Sequence, residues 1–298
     1  MRHIRQFYVV LACVPSALIS LAGCGMLDSA STETKPVEAL VKNVAGAVVG
    51  DEPQAVVEAR SMLAAGGSAA DGAVAMFFTL AATLPSSASL GSGGMCLVYD
   101  AKTSKVEALD FLARAPASIP AGAERPSAIP GSPLGFWTLH SRYGQLPWSQ
   151  LVAGGERIAR LGAPVSRGLL AEFGPVAAPL LQDAETRAVL ADATGRPVVE
   201  GSTITQPNLA RMLTAIRIGG ATELYRGGLV RDFVAGVKAA GGSLEASDLD
   251  AYRAEWRQPI RVKYDSRLAY FAPPPVAAGT VEAQMFEMIE SRGRFDAA

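Results

Sequence analysis

Between Gly66-Gly67 and Pro85 the chain reads SAADGAVAMFFTLAATL, a segment apolar on nearly every side at helical period. A helix of that kind cannot lie on a surface, because each of its faces needs an apolar neighbour. The segment therefore predicts a buried central helix with other elements packed around it. It contains Asp71 and falls short of the roughly 20 apolar residues that a bilayer span requires, so a membrane helix is the poorer reading. With 298 residues, 49% of them hydrophobic, the chain is long enough to bury such a helix in a sizeable core.

The flanking text supplies the cover. Pro53 suits the first turn of a helix with Asp51 as its cap, and PQAVVEARSMLAA keeps helical period up to the glycine pair. After Pro85, PSSASLGSGG reads as a small-residue loop feeding MCLVYD and SKVEALDF, two alternating strands turned at AKT. Gly91, Gly93 and Gly94 suit either an anion-binding nest of amides or a tight turn into a strand. The loop fits neither a phosphate-binding Gly-Lys-Ser/Thr nor a Gly-x-Ser-x-Gly nucleophile elbow.

Residues 112–133 are rich in Ala, Pro and Ser, and helices are then expected in LGFWTLHSRYG and in LPWSQLVAGGERIARLG. Three more follow in QPNLARMLTAIRIGG, ELYRGGLVRDFVAGVKAAGG and EASDLDAYRAEW. RQPIRVKYDSRLAYFAPPP reads as two strands turned at Asp265-Ser266, and the triple proline bends the chain into a small-residue turn, VAAGT. Strand pair, helix block and strand pair predict a layered α/β domain.

Formal net charge is −1 and no run of Lys or Arg occurs past the amino terminus. The electrostatic footprint of a nucleic-acid binder is missing. No metal site and no cofactor are expected. The amino terminus itself is topogenic: MRHIRQ is basic, FYVVLACVPSALISLA is apolar, and LAGC follows. Leu21-Ala22-Gly23-Cys24 resembles the lipobox of bacterial lipoproteins, which implies a signal peptide over 1–23, lipid attachment at Cys24 and an envelope location. A plain secretory signal and an uncleaved anchor are the other readings. Residues 24–50 read as a tether and 51–298 as the folded domain. Cys13 and Cys24 are then accounted for, leaving Cys96 alone in an apolar strand, where a buried structural thiol is expected and not a nucleophile.

The order of motifs resembles the large subunit of gamma-glutamyltranspeptidases, also called glutathione hydrolases. The resemblance rests on EARSMLAAGGSAADGAVA, GSGGMCLVYD, LDFLARAP, IPGSPLGFWTLHSRYGQLPWSQLV, ITQPNLARMLTAI, ELYRGGLVRDFV, GGSLEASDLDAYRAEWRQPI and PPPVAAGT. It implies the four-layer αββα fold of N-terminal nucleophile hydrolases, incomplete without a small-subunit region. It also implies a γ-glutamyl substrate and a small-subunit-like partner, whose amino-terminal threonine would attack the amide.

Two departures shape the expectations. The family's Thr-Thr-His or Thr-Ser-His nucleophile motif lies beyond the proline bend and is not among these residues, so no catalytic residue is assigned. Thr203 and Thr205 read as caps of the next helix, and His140 as a helix residue. The family pattern Asp-Phe-Arg-Glu-x-Ala-Pro places a carboxylate-binding arginine where this chain has Leu112, with Ala113 beside it. Leucine cannot form the bidentate pair, and Arg114, two residues on, is the candidate substitute for substrate binding. Other readings of the whole are a non-catalytic envelope lipoprotein that binds a ligand or partner, and an acylase for a substrate without the glutamyl carboxylate.

Overall fold

The computed structural model describes residues 46–121 and 127–292, which lie in one unit running from Val44 to Ala298. The expected signal segment, Cys24 and all of the tether before Gly46 fall outside the described residues.

The central helix forms as read. Helix α1 (Pro53–Ala64) leads into α2 (Ala69–Thr83), of which Val74, Phe78 and Ala82 are fully enclosed. Burying a side chain the size of Phe78 contributes about 1.5–3 kcal/mol relative to leaving it in water. Three helices share the work: α1, α3 (Ser132–Tyr143) and α4 (Trp148–Leu161). Phe77 stacks on Phe136 of α3 at 4.4 Å between ring centres, and Phe78 meets Trp148 of α4 edge-on at 5.4 Å. Gly155 sets the closest approach: a Cβ there would collide with the backbone carbonyl of Phe78. Thr79 and Thr83, polar groups inside the core, donate to the carbonyls of Ala75 and Thr79 four residues back.

Asp71 is fully buried at the start of α2 and, among the described residues, meets no lysine or arginine. Its carboxylate accepts from the Ser68 amide at 2.8 Å, closing a capping box, and from the amides of Gln145 and Leu146 at 2.9 and 3.2 Å. The turn joining α3 to α4 is thereby tied to the amino end of the central helix. His140 completes the turn, its Nε2 2.8 Å from the Leu146 carbonyl and 3.7 Å from Asp71 Oδ1.

The hairpin expected behind the glycine loop is β1 (Gly94–Asp100) and β2 (Lys105–Phe111), antiparallel, with Cys96 opposite Leu109. The chain then runs through β3 (Ala163–Pro164), short helices α5 (Arg167–Phe173), α6 (Ala177–Leu180) and α7 (Ala184–Leu190), and β4 (Thr203–Ile204), which pairs with β3. Helix α8 (Pro207–Gly219) packs on α4, burying Leu213 and Ile216. Helices α9 (Val230–Ala239) and α10 (Ala246–Ala251) follow, then β5 (Glu255–Arg257), which joins β2 to give the order β1-β2-β5. Strands β6 (Ile260–Tyr264) and β7 (Arg267–Phe271) form a separate hairpin turned at Asp265, with positive φ.

Several sequence readings move. The cap of α1 is Glu52, whose side chain accepts from the Gln54 amide, and not Asp51. EASDLDAYRAEW is helical only to Ala251; Glu255–Arg257 is drawn into the sheet by β2. ELYRGG lies outside α9, partly in a 3-10 turn over Ala221–Leu224. Thr203 sits in β4, and the cap position of α8 is Gln206, with no side-chain cap hydrogen bond, so neither Thr203 nor Thr205 caps it. VAAGT is not a turn but the opening of α11 (Ala277–Glu290), and Gly279 is small because the Ala272 carbonyl lies against it.

Asp71→Ala is expected to destabilise the fold by about 3 kcal/mol, since the part-buried amides of Ser68, Gln145 and Leu146 lose their shared acceptor together. Urea denaturation followed by circular dichroism measures it.

Candidate functional site around Asp110

Asp110 is the penultimate residue of β2 and is fully buried, yet two arginines reach it. The Arg114 Nη2 donates to Asp110 Oδ2 at 2.7 Å, and the Arg257 Nε donates to the same oxygen at 2.8 Å. The Leu112 amide takes the other oxygen at 3.1 Å. Sheet register explains Arg257: Ala108 faces Arg257 and Asp110 faces Glu255, so Glu255 and Asp110 are directly opposed like charges. Arg257 resolves this by bridging them, with Nη2 2.7 Å from Glu255 Oε2.

Arg114 reaches Asp110 by folding back past the strand end. Its backbone is pinned by a two-way bridge with Ile129, at 3.3 and 2.7 Å. The guanidinium side chain is 37% exposed and that of Arg257 is 36% exposed, against none for Asp110. Among the described residues Nη2 is the only guanidinium nitrogen of Arg114 with a hydrogen-bond partner, which leaves donors unengaged on a partly exposed group beside a fixed carboxylate. A guanidinium anchored on one edge and open on another is suited to a second carboxylate or a similar planar anion. Leu112, at the position the resemblance gives to an arginine, is half-buried and contributes only backbone: its amide to Asp110 and its carbonyl to the Tyr252 hydroxyl at 2.9 Å.

The segment carrying Leu112 and Arg114 is strapped from several sides. The Ala117 amide donates to Asp248 Oδ1 at 2.9 Å, and Asp248, nearly buried, also caps α10 through the Glu245 amide. Tyr225 donates to the Pro130 carbonyl at 2.9 Å and stacks on Tyr252, with 5.9 Å between ring centres. Burial pushes both phenols well above the usual tyrosine range, so both remain hydrogen-bond donors. Gly93 and Gly131 answer to packing: a Cβ on either would strike the backbone of this segment, at Ala113 and Phe111 respectively. Of the two readings of the glycine loop, the close-packed turn is the one with support.

The other singled-out residues lie elsewhere. Cys96 is on β1 among Leu109, Phe111 and Leu139, where burial pushes its thiol up to about 11. It is protonated at neutral pH and a poor nucleophile, as the sequence suggested. His140 braces the α3–α4 turn and has no contact with the Asp110 cluster. Sequence reasoning found Arg114 but missed Arg257, Tyr252 and Asp248. The last carried a local signal, an acidic residue three positions after Glu245 in capping-box spacing.

Because two arginines share one carboxylate oxygen, Arg114→Gln and Arg257→Gln are each expected to cost about 1 kcal/mol, since either leaves Asp110 paired. The double variant strands a buried charge and should cost about 3–5 kcal/mol, more than the two singles together. Urea denaturation of the four proteins gives this coupling.

Residues 55–297 match the family described as Gamma-glutamyltranspeptidase. The glutathione hydrolase proenzyme of Pseudomonas aeruginosa is 30% identical over 261 residues, covering 83% of this chain and 46% of that protein. Among solved structures, the gamma-glutamyltranspeptidase of Pseudomonas nitroreducens complexed with L-DON has a TM-score of 0.74 at 29% identity, over 84% of this chain and 77% of that one. The Helicobacter pylori gamma-glutamyltranspeptidase has a TM-score of 0.78 at 25% identity, over 85% and 78%. The chain spans 36% to 46% of the length of the first curated relatives it matches. The layered α/β arrangement, the motif order and these matches agree over the same stretch, and the chain belongs to the gamma-glutamyltranspeptidase family.

Proposed function

We propose that residues 51–298 form the large-subunit-like part of an enzyme that hydrolyses or transfers γ-glutamyl groups. A small-subunit-like region supplies the nucleophilic threonine, whose hydroxyl oxygen bonds to the γ-carbonyl carbon as the amine leaves with a proton. The acyl-enzyme then passes to water or to an acceptor amine. The observation that carries this reading is the Arg114 guanidinium held on Asp110 with donors to spare, a short step along the chain from Leu112. Arg114 binds the glutamyl α-carboxylate in place of an arginine at 112, and Asp110 with Arg257 keeps it oriented. Surfaces suited to a partner region support the reading. Strand β1 is a sheet edge among the described residues, with Leu97 and Tyr99 exposed, and α11 bares Val281, Met285 and Met288 at helical spacing.

Leucine at position 112 favours one competing reading, an acylase whose substrate has no α-carboxylate. The two are separated by pairing the chain with a small-subunit-like chain and comparing γ-glutamyl anilide with 4-aminobutanoyl anilide, which differs by that carboxylate alone. We expect a preference of about tenfold or more for the γ-glutamyl compound, lost in Arg114→Ala. Equal turnover of the two substrates would establish the acylase reading instead. No turnover of either in the paired protein would point to a non-catalytic binding protein. The 298 residues alone should turn over neither, and Leu112→Arg should not change that, because the attacking group is not among them.

We further propose that Cys24 carries a thioether-linked lipid that tethers the domain at a bacterial envelope, a reading supported by the LAGC text after an apolar run. Cys24→Ser is expected to move the protein from the membrane fraction to the soluble fraction, or to leave its amino-terminal segment uncleaved by mass. Unchanged fractionation together with unchanged mass would remove the proposal.

A further inference from the structure

The short helices between β3 and β4 do more than connect. Helices α5, α6 and α7 curl around a groove closed on its far side by the start of α8, with a volume of about 600 Å³. That lies within the range of small-molecule sites. Its walls are apolar, among them Phe173, Val176, Leu180 and Val189, and Val176 and Leu180 remain 45% and 43% exposed. Helices folded only to bury their own side chains would not leave both on the wall of one groove.

The groove also carries two carboxylates. Glu172 is fixed by the Ser87 hydroxyl at 2.8 and 2.9 Å from its two oxygens, and hydrogen bonds from Ser86 and Ser87 hold its carboxyl below the usual range. Glu185 is oriented by the Asn208 amide nitrogen at 3.1 Å. Neither meets a lysine or arginine among the described residues. Arg167 pairs with Glu200, and Arg187 donates to the carbonyls of Leu181 and Gln182.

An apolar trough flanked by two uncompensated, hydrogen-bonded carboxylates selects for one kind of occupant. Fatty anions are repelled, and neutral apolar molecules fit the walls but leave the carboxylates idle. We propose that this groove is a binding site for a small amphipathic cation, an apolar body carrying an amine. The body lies against Phe173, Val176, Leu180 and Val189, and the ammonium sits between Glu172 and Glu185. The site shares no residue with the Asp110 cluster and does not depend on the catalytic reading.

Isothermal titration of the full chain with 4-phenylbutylamine, 4-phenyl-1-butanol and 4-phenylbutyrate tests the proposal. The amine is expected to bind at least tenfold more tightly than the alcohol, with the advantage shrinking as salt is raised, and the carboxylate should not bind. Glu172→Gln with Glu185→Gln should bring the amine to the alcohol's level, and Leu180→Trp should block both ligands. All three positions are exposed, and unchanged thermal melts will show that the variants fold. Equal binding of amine and alcohol, no binding of the amine, or an unchanged affinity in the double Gln variant would each overturn the proposal. So would self-association in the ultracentrifuge that Leu180→Trp abolishes, since the occupant would then be a second copy.

Discussion

The helical layers depend on one carboxylate. Asp71 is sealed at the amino end of the central helix, where it satisfies the helix's own Ser68 amide and two amides of a turn more than 70 residues away. Without it the α3–α4 turn would lose the acceptor that ties two of its amides to the central helix. Once that turn is fixed, Phe136 and Trp148 meet the adjacent α2 residues Phe77 and Phe78, and Gly155 allows the backbones to close. The position that made the segment look too polar for a membrane is the one that locks its neighbours together.

The Asp110 cluster is built by a different logic, with two arginines on one oxygen of the buried charge and a single amide on the other. Its parts come from near and far along the chain: Arg114 from the loop just after β2, Arg257 from a strand 147 residues on. What unites them is the β2–β5 register, which sets Glu255 against Asp110 and makes a bridging arginine necessary. The tyrosine stack and Asp248 then fix the loop from behind, so the arginine is offered in a defined place and not on a free tether.

Much of this was legible in the text of the chain. The all-apolar helix, the first hairpin, the glycine-ended helices and the strand pair before the prolines follow local periodicity and punctuation, and they appear where those signals put them. What could not be read depended on distant partners. Glu255–Arg257 looks helical beside SDLDAY and becomes a strand because β2 has an open edge. Thr203 looks like a cap because Pro207 follows, yet pairing of β3 with β4 takes it into a strand. Arg257 has no local signature at all, since its function comes from register. Leu112 was legible as a departure but not in its consequence, because the chain doubling back at Arg114 is set by the bridge to Ile129.

The shared oxygen on Asp110 also bears on how such a site tolerates sequence drift. In a cluster of one acid and one base, replacing the base leaves a buried charge behind, and selection removes the variant before any compensating change arises. Here Arg257 approaches from another strand and holds the carboxylate whatever stands at 112 or 114. Leucine at 112 is therefore no structural scar. The residues between Phe111 and Pro116 are free to be exchanged one at a time on a foundation that stays paired, so the fold permits this short loop to explore new recognition chemistry without first becoming unstable.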